Sequence, residues 1–296
     1  MCGGEQSVFV EGRCILDNVM IAIEVINALK RKTKDGKAHL ALKIDISKAY
    51  DIMDGIFLRE GFSALIKGAV ARGDIHGIQI YRGAPSVSHL LLADDCFLSS
   101  RVNLNEVRYL MKLINSYTKA SGHKINMTKS KVFCSCNISN PAKEDLASIM
   151  GVNHVMGTRK YLCLSSMEKF ACSKEEGSLG FRDFKAFNMA MVAKQGWNLL
   201  TNPHALVSRI FKGRYYPKTS FLDDNLEFNP SFVSRSIWKA SEVLSLGCRW
   251  SIGDGSDIMA MNEPWIRGSR DGCIRGPQKQ GVYGIIVKNI MLPNAK

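Results

Sequence analysis

The sequence has no CxxC pair and no cluster of histidines, and its nine cysteines are scattered at positions 2, 14, 96, 134, 136, 163, 172, 248 and 273. An odd, dispersed set argues against both a disulfide framework and a closed zinc site. It fits buried or incidental thiols in a reducing compartment. The N-terminus lacks a basic segment followed by an apolar stretch, so no signal peptide is expected. No apolar run approaches membrane-spanning length. The expectation is an intracellular protein, nuclear or cytoplasmic, with no membrane contact. Internal repeats and low-complexity tracts are absent as well. Acidic residues are in short supply, with 27 Asp plus Glu against 40 Lys plus Arg, giving a net charge of +13. Such an excess favours polyanions, because each phosphate neutralised releases condensed counterions.

What is present suits a globular chain: 296 residues, 46% hydrophobic and 23% charged, enough for one large domain or two ordinary ones. Asp17 can cap a helix over 17–32, whose apolar positions follow helical spacing and whose end carries Lys30, Arg31 and Lys32. A strand is predicted over 39–47, with Leu40, Leu42, Ile44 and Ile46 on one face and Lys43, Asp45 and Ser47 on the other. Further strands are predicted at 78–81, 87–92 and 96–99, and another at 131–135. Between them lies a helix over 103–120, with Leu104, Val107, Leu110, Met111, Ile114 and Tyr117 on one face and Gly122 beyond its end. Asn140 and Pro141 open another helix. From about residue 167 strand signals thin out, and helices are predicted over 184–200 and 206–212. The expected fold class is α+β: an antiparallel sheet over 39–47 and 78–99 with the 17–32 and 103–120 helices on one face, then a mainly helical C-terminal region.

Two acidic features stand out. Asp45 ends an apolar strand, and Asp94-Asp95 sits between two short apolar strands. An Asp-Asp pair at a hairpin is usually only a turn, since Asp suits that backbone. Strands that pair in one sheet can nevertheless bring three carboxylates to one point, where divalent cations relieve their repulsion. Phosphoryl transfer uses that arrangement, one ion activating an attacking hydroxyl and a second steadying the leaving group. In the C-terminal half, Arg209, Lys212, Arg214 and Lys218 interleave with Phe211, Tyr215 and Tyr216. That mix suits either phosphate contact with base stacking or a solvated helix with its aromatics turned inward.

The motifs in order resemble those of plant LINE-type (non-LTR retrotransposon) reverse transcriptases. Gln6 to Arg13, followed by Asp17-Asn18, resembles the opening of the fingers, and Lys43-Ile44-Asp45-Ile46-Ser47-Lys48-Ala49-Tyr50-Asp51 resembles the first aspartate motif. Residues 83–95, ending Leu92-Ala93-Asp94-Asp95, resemble the aromatic-Ala-Asp-Asp motif with its lead-in. Residues 121–130, from Ser121-Gly122 to Lys129-Ser130, resemble the next motif, and Tyr161-Leu162-Cys163-Leu164-Ser165 resembles the primer grip. Residues 174–183 and 249–255 resemble the segment that follows the polymerase. This resemblance implies a reverse transcriptase fingers/palm remnant over 1–166 and a post-polymerase connector over 167–296. It implies an RNA-directed DNA polymerase that joins dNTPs to a primer 3′-hydroxyl on an RNA template, with two Mg²⁺ or Mn²⁺ ions. Asp45, Asp94 and Asp95 would be the catalytic residues and metal ligands. Tyr50 would exclude a ribose 2′-hydroxyl, while Arg13 and Lys129 would lie at the nucleotide's phosphates.

The sequence departs from the family's pattern in ways that matter. A Gln-Gly-Asp-Pro-Leu-Ser-Pro-like motif is missing between Asp51 and Arg59, and thumb sequence is missing between Ser166 and Met167. Leu92 replaces an aromatic residue, Glu11 a proline and Cys163 a glycine. Residues 267–296 match no motif of the family. Positioning supplies much of the catalysis in phosphoryl transfer, so these losses imply a chain defective as a polymerase. The alternatives are a non-catalytic nucleic-acid-binding remnant and a decayed retroelement product.

Overall fold

The computed structural model describes residues 15–31, 37–47, 55–92, 95–155, 184–222, 230–249, 251–256, 258–261, 263–266, 272–274 and 284–291. The architecture is α+β, as the sequence patterns require. The chain divides into two compact units: Met1–Lys169 with Asn198–Ser236, and Phe170–Trp197 with Ile237–Lys296.

The first unit is built on an open, mostly antiparallel sheet. In chain order its elements are α1 (Ile15–Arg31), β1 (His39–Ser47), α2 (Gly55–Arg72), β2 (His89–Leu92), β3 (Asp95–Arg101), α3 (Leu104–Ser121), β4 (Lys124–Ile125), β5 (Lys131–Cys134), α4 (Asn140–Met150), β6 (Asn153–His154) and α6 (Leu206–Tyr215); α5 (Phe184–Thr201), which precedes α6, has most of its length in the second unit. The sheet runs β2-β3-β1-β5-β6, and β4 also pairs with β1. Strand β1 is central and buried on both faces, with Leu40, Ala41 and Leu42 all out of solvent, and its neighbour β3 is likewise, through Cys96, Phe97 and Leu98.

One face of β1, carrying Leu40, Leu42 and Ile44, joins Leu91, Cys96, Leu98 and Val132 in a core closed by α2, α3 and α4. Helix α3 presents Val107, Leu110, Ile114 and Tyr117 to it at helical spacing. Its ends are set locally. Asn103 accepts a hydrogen bond from the Asn105 N–H, and Gly122 takes the left-handed conformation that closes the last turn. Helix α4 repeats the device, with Ser139 as N-cap and Gly151 as the left-handed C-cap.

Helix α1 takes no part in that core, although its Met20, Ile21, Val25 and Leu29 are buried and it packs on β1, β2 and β5. It therefore covers the opposite face, and the expectation that helices 17–32 and 103–120 share one face is corrected. The reason is the two-sided burial of the strands, which alternation alone does not rank. Helix α6 packs on α1 in turn. The Tyr215 hydroxyl donates to Glu24 Oε2 at 2.7 Å, and the Ser231 N–H donates to the Tyr215 oxygen at 3.4 Å.

Two further differences from expectation have local causes. Residues 78–81 form no strand, only an isolated bridge between Ile78 and Val87. The Ala84 N–H donates to the Tyr81 carbonyl at 3.1 Å, so the segment folds back on itself with no strand-long partner. Helix α2 lacked a strong signal because it opens on Gly55 and carries Gly61 and Gly68 in its interior, each of the latter two weakening a helix by about 1 kcal/mol against alanine. Tertiary burial of Phe62, Ile66 and Ala69 offsets that cost. His89, fully buried on β2, shares a hydrogen bond with Ser63 on α2 at 2.8 Å and another with Ser88 at 2.9 Å.

The bridge at Ile78 allows a direct test. A Cβ on Gly77 would stand 2.7 Å from the Val87 carbonyl carbon and oxygen, which are backbone and do not move aside cheaply. Gly77→Ala is therefore expected to cost about 1–3 kcal/mol as an overpacking change, read by urea denaturation. Unchanged stability would show that the Ile78–Val87 bridge is not held as tightly as this.

In the second unit, α8 (Ser241–Gly247) is followed by a small apolar cluster of Ile258, Ala260 and Val287, joined by Ile252, Trp265, Ile285 and Met291. The Trp265 indole N–H donates to the Ala260 carbonyl at 2.9 Å. Helix α7 (Phe232–Lys239) contributes to both units. No helix among the described residues is long and apolar enough to cross a membrane.

Candidate functional site

The antiparallel register of β1 and β3 sets Asp45 directly opposite Asp95. Directly opposed residues lie with Cβ atoms about 4.5–5.5 Å apart and project to the same face. Alternation along β1 turns Asp45 away from the face of Leu42 and Ile44 and puts Lys43 on its own side. Like charges opposed in a sheet repel, and Lys43 supplies the countercharge: its Nζ is 2.7 Å from Asp95 Oδ2. Both side chains keep about a third of their surface in solvent (38% and 29%), so the ion pair contributes only about 0–1 kcal/mol to stability. Its interest is electrostatic. The Lys43 ammonium neutralises the Asp95 carboxylate directly.

The other edge of β1 is shaped by a five-residue excursion. Ile125 pairs with Ile46 and Lys131 pairs with Lys43, so residues 126–130 loop out opposite Ile44 and Asp45. This loop clamps both main-chain polar groups of Asp45. The Asp45 N–H donates to Ser130 Oγ at 3.2 Å, and the Asp45 carbonyl accepts from the Asn126 N–H at 2.9 Å. Ser130, itself buried, donates onward to the Asn126 carbonyl at 2.8 Å. Inside the loop, Asn126 Oδ1 accepts from the Thr128 hydroxyl at 2.6 Å and the Lys129 N–H at 3.2 Å. Such Asx-type bonds fix a tight turn independently of the sheet. Lys129 is therefore an exposed residue of the loop that holds Asp45.

Of the residues singled out from sequence, the structure brings Asp45 and Asp95 together and places Lys129 on the loop bonded to Asp45. Strands β2 and β3 are joined through Ala93 and Asp94, because Leu92 pairs with Asp95. Asp94, Arg13 and Tyr50 lie outside the described residues. Among the described residues, no group of three or more His, Cys, Asp or Glu side chains is placed to hold a metal ion. The contributions of Asn126 and Ser130 were missed. Their signal was an Asn and a Ser framing Met-Thr-Lys, a turn pattern whose target on β1 no local rule supplies.

Among the described cysteines, Cys96 is buried, Cys134, Cys248 and Cys273 are half-buried and Cys136 is exposed. Burial pushes the Cys134 thiol up to about 11, away from the thiolate form. The aromatic set on and after α6 is turned inward. Phe211, Tyr215 and Tyr216 are buried, so the stacking alternative for Arg209 to Lys218 has no exposed ring there.

These features define an α+β protein in which a central strand sets two carboxylates face to face beside a lysine. No protein-family model matches the chain. Over 100 residues it is 40% identical to a protein of Arabidopsis thaliana named "Uncharacterized mitochondrial protein AtMg00310", covering 33% of this chain and 65% of that protein. Over 110 residues it is 29% identical to "Putative ribonuclease H protein At1g65750" of the same plant, covering 36% of this chain and 17% of that protein. The chain thus matches less than two thirds of the length of either relative.

Proposed function

We propose that this chain is a retroelement-derived protein whose Asp45, Asp94 and Asp95 are the remnant of a two-metal nucleotidyl-transfer site of a plant LINE-type reverse transcriptase. The observation that carries this reading is Asp45 opposite Asp95 on adjacent strands, with Asp94 next to Asp95 in sequence. Similarity to a plant protein named as a ribonuclease H supports a retroelement setting, since reverse transcription leaves RNA–DNA hybrids for such an enzyme to clear. Opposed carboxylates are hard oxygen donors suited to Mg²⁺ or Mn²⁺, and bound ions would activate the primer 3′-hydroxyl and steady pyrophosphate. On this reading Arg13 and Lys129 meet the dNTP phosphates and Tyr50 guards the sugar. The RNA template and DNA primer are the macromolecular partners. The missing template-contacting motif and thumb make the chain inert as a polymerase, so its surviving capacity is binding.

Titration with Mn²⁺, followed by the electron paramagnetic resonance signal of the free ion, tests this reading. Wild type is expected to hold Mn²⁺ weakly, and Asp45→Asn or Asp95→Asn to weaken it about tenfold or more. Lys43→Gln is expected to tighten it about fivefold. A charge removed some 4 Å from a solvated site changes binding by about 1 kcal/mol. Equal Mn²⁺ binding by wild type and the aspartate variants would overturn the metal reading. Primer extension above background that vanishes in Asp45→Asn would instead show that the pocket survives.

A further inference from the structure

The outer face of α3 forms one wall of a cleft of about 460 Å³, lined by Arg108, Met111, Lys112, Asn115, Ser116, Lys119 and, from α4, Ile149. Three of its lining side chains are cationic and none is acidic. The arrangement follows from how α3 spends its single acid. Glu106 is buried at 6% exposure. There its carboxylate faces the His76 ring at 3.0 Å and accepts the His76 and Arg101 N–H groups, each at 3.1 Å. The outward face is left with cations alone, and Arg108, Lys112 and Lys119 form no ion pair with any described residue. Glu144 and Asp145, exposed on neighbouring α4, do not line the cleft.

We infer that this cleft binds the phosphate backbone of a single RNA strand. Arg108 to Lys119 spans about 16 Å of helix axis, room for a short run of phosphates on a single strand. Asn115 and Ser116 lie between the cations and offer neutral hydrogen-bonding groups. Met111 and the 48%-exposed Ile149 give sugars and bases an apolar surface. The cleft lies behind the core that α3 shares with the sheet, on the side away from Asp45 and Asp95. It rests on the nucleic-acid reading above and gives that reading a location, since the aromatics of α6 are buried. It does not rest on metal binding.

The test is fluorescence anisotropy with a labelled oligouridylate RNA across a salt series, using the full chain. The cleft variant is Arg108→Glu, Lys112→Glu and Lys119→Glu together. The control is Arg209→Glu, Lys212→Glu and Lys218→Glu, which changes net charge by the same amount. The cleft variant is expected to bind about tenfold or more weakly at low salt. Its slope of log affinity against log salt should fall by about 2, the value for three phosphate contacts on a single strand. The control should lose much less. The milder triple replacement by Gln guards against misfolding, with circular dichroism melts as the check, and should reproduce most of the loss. Equal losses in cleft and control variants would reduce the effect to net charge and overturn the assignment. So would no RNA binding by wild type at low salt. Co-sedimentation with vesicles rich in phosphatidylserine supplies the other arm. Loss of vesicle binding in the cleft variant with RNA binding intact would reassign the cleft to a lipid surface. The Mn²⁺ titration reads the carboxylate site separately, so the two readings fail independently.

Discussion

Ending the chain at residue 166 is expected to abolish the cooperative unfolding transition of the sheet unit. The compact unit takes in Asn198–Ser236, where α6 packs on α1 and buries its Val207, Ile210 and Phe211. Each fully buried side chain of this kind stabilises by about 1.5–3 kcal/mol, and whole domains hold only about 5–15 kcal/mol. Removal of α6 would also strip Glu24, fully buried on α1, of the Tyr215 hydroxyl. An unpaired buried carboxylate adds its own penalty. In the full chain, Phe211→Ala should cost about 3–5 kcal/mol, without the ambiguity of a truncation. Urea denaturation followed by circular dichroism compares the three proteins. A 1–166 fragment that melts cooperatively at the full-length midpoint would make the stretch from 198 to 236 dispensable, and residue 166 a true folding boundary.

Alkaline pH should destabilise the same region. Burial pushes the Tyr216 hydroxyl up to about 12 from an ordinary value of 10.0. Tyr215 is raised as well, first by burial and then by the charge of Glu24. A group whose folded value lies above its unfolded value contributes stability that is fully present below the unfolded value and is lost as pH rises toward the folded one. The unfolded chain therefore releases these protons first, and stability should fall from about pH 10 upward. Tyr216 alone accounts for about 2 kcal/mol by pH 12, where its folded hydroxyl is itself half ionised. Lysines also titrate in this range, so the informative comparison is with Tyr216→Phe, whose urea midpoint should decline less steeply between pH 9 and 11.5. Parallel declines would mean that Tyr216 ionises as freely in the folded chain as in the unfolded one.

Elements with strong local signals were legible from the chain. Strand β1 shows alternation along 39–47, α3 has a clean apolar stripe closed by Gly122, and α4 opens on Asn140-Pro141. Each is specified within a few residues, by side-chain period and by caps that satisfy the helix's own backbone. The misses share the opposite property. Helix α2 has two interior glycines against it and forms because Phe62, Ile66 and Ala69 find a core assembled from distant strands. Residues 78–81 alternate like a strand, yet no neighbouring strand offers them a ladder.

The candidate site divides along the same line. Asp45 at the end of an apolar strand and Asp95 at the start of another are properties of sequence, as is the excess of basic residues. By itself the sequence determined which residues of β1 alternate and where α3 and α4 begin and end, while the cap expected at Asp17 lies inside the first turn of α1, which starts at Ile15. Only the tertiary structure decided that Asp45 lies opposite Asp95, because antiparallel register depends on pairing between segments some fifty residues apart. It also decided that Ser130 and Asn126 clamp the Asp45 backbone, and that α1 and α3 cover opposite faces of the sheet. The cationic face of α3 followed once Glu106 was buried against His76 and Arg101. In each case the deciding interaction joins residues far apart in the chain, where local preference carries no information and only the packed arrangement selects the partner.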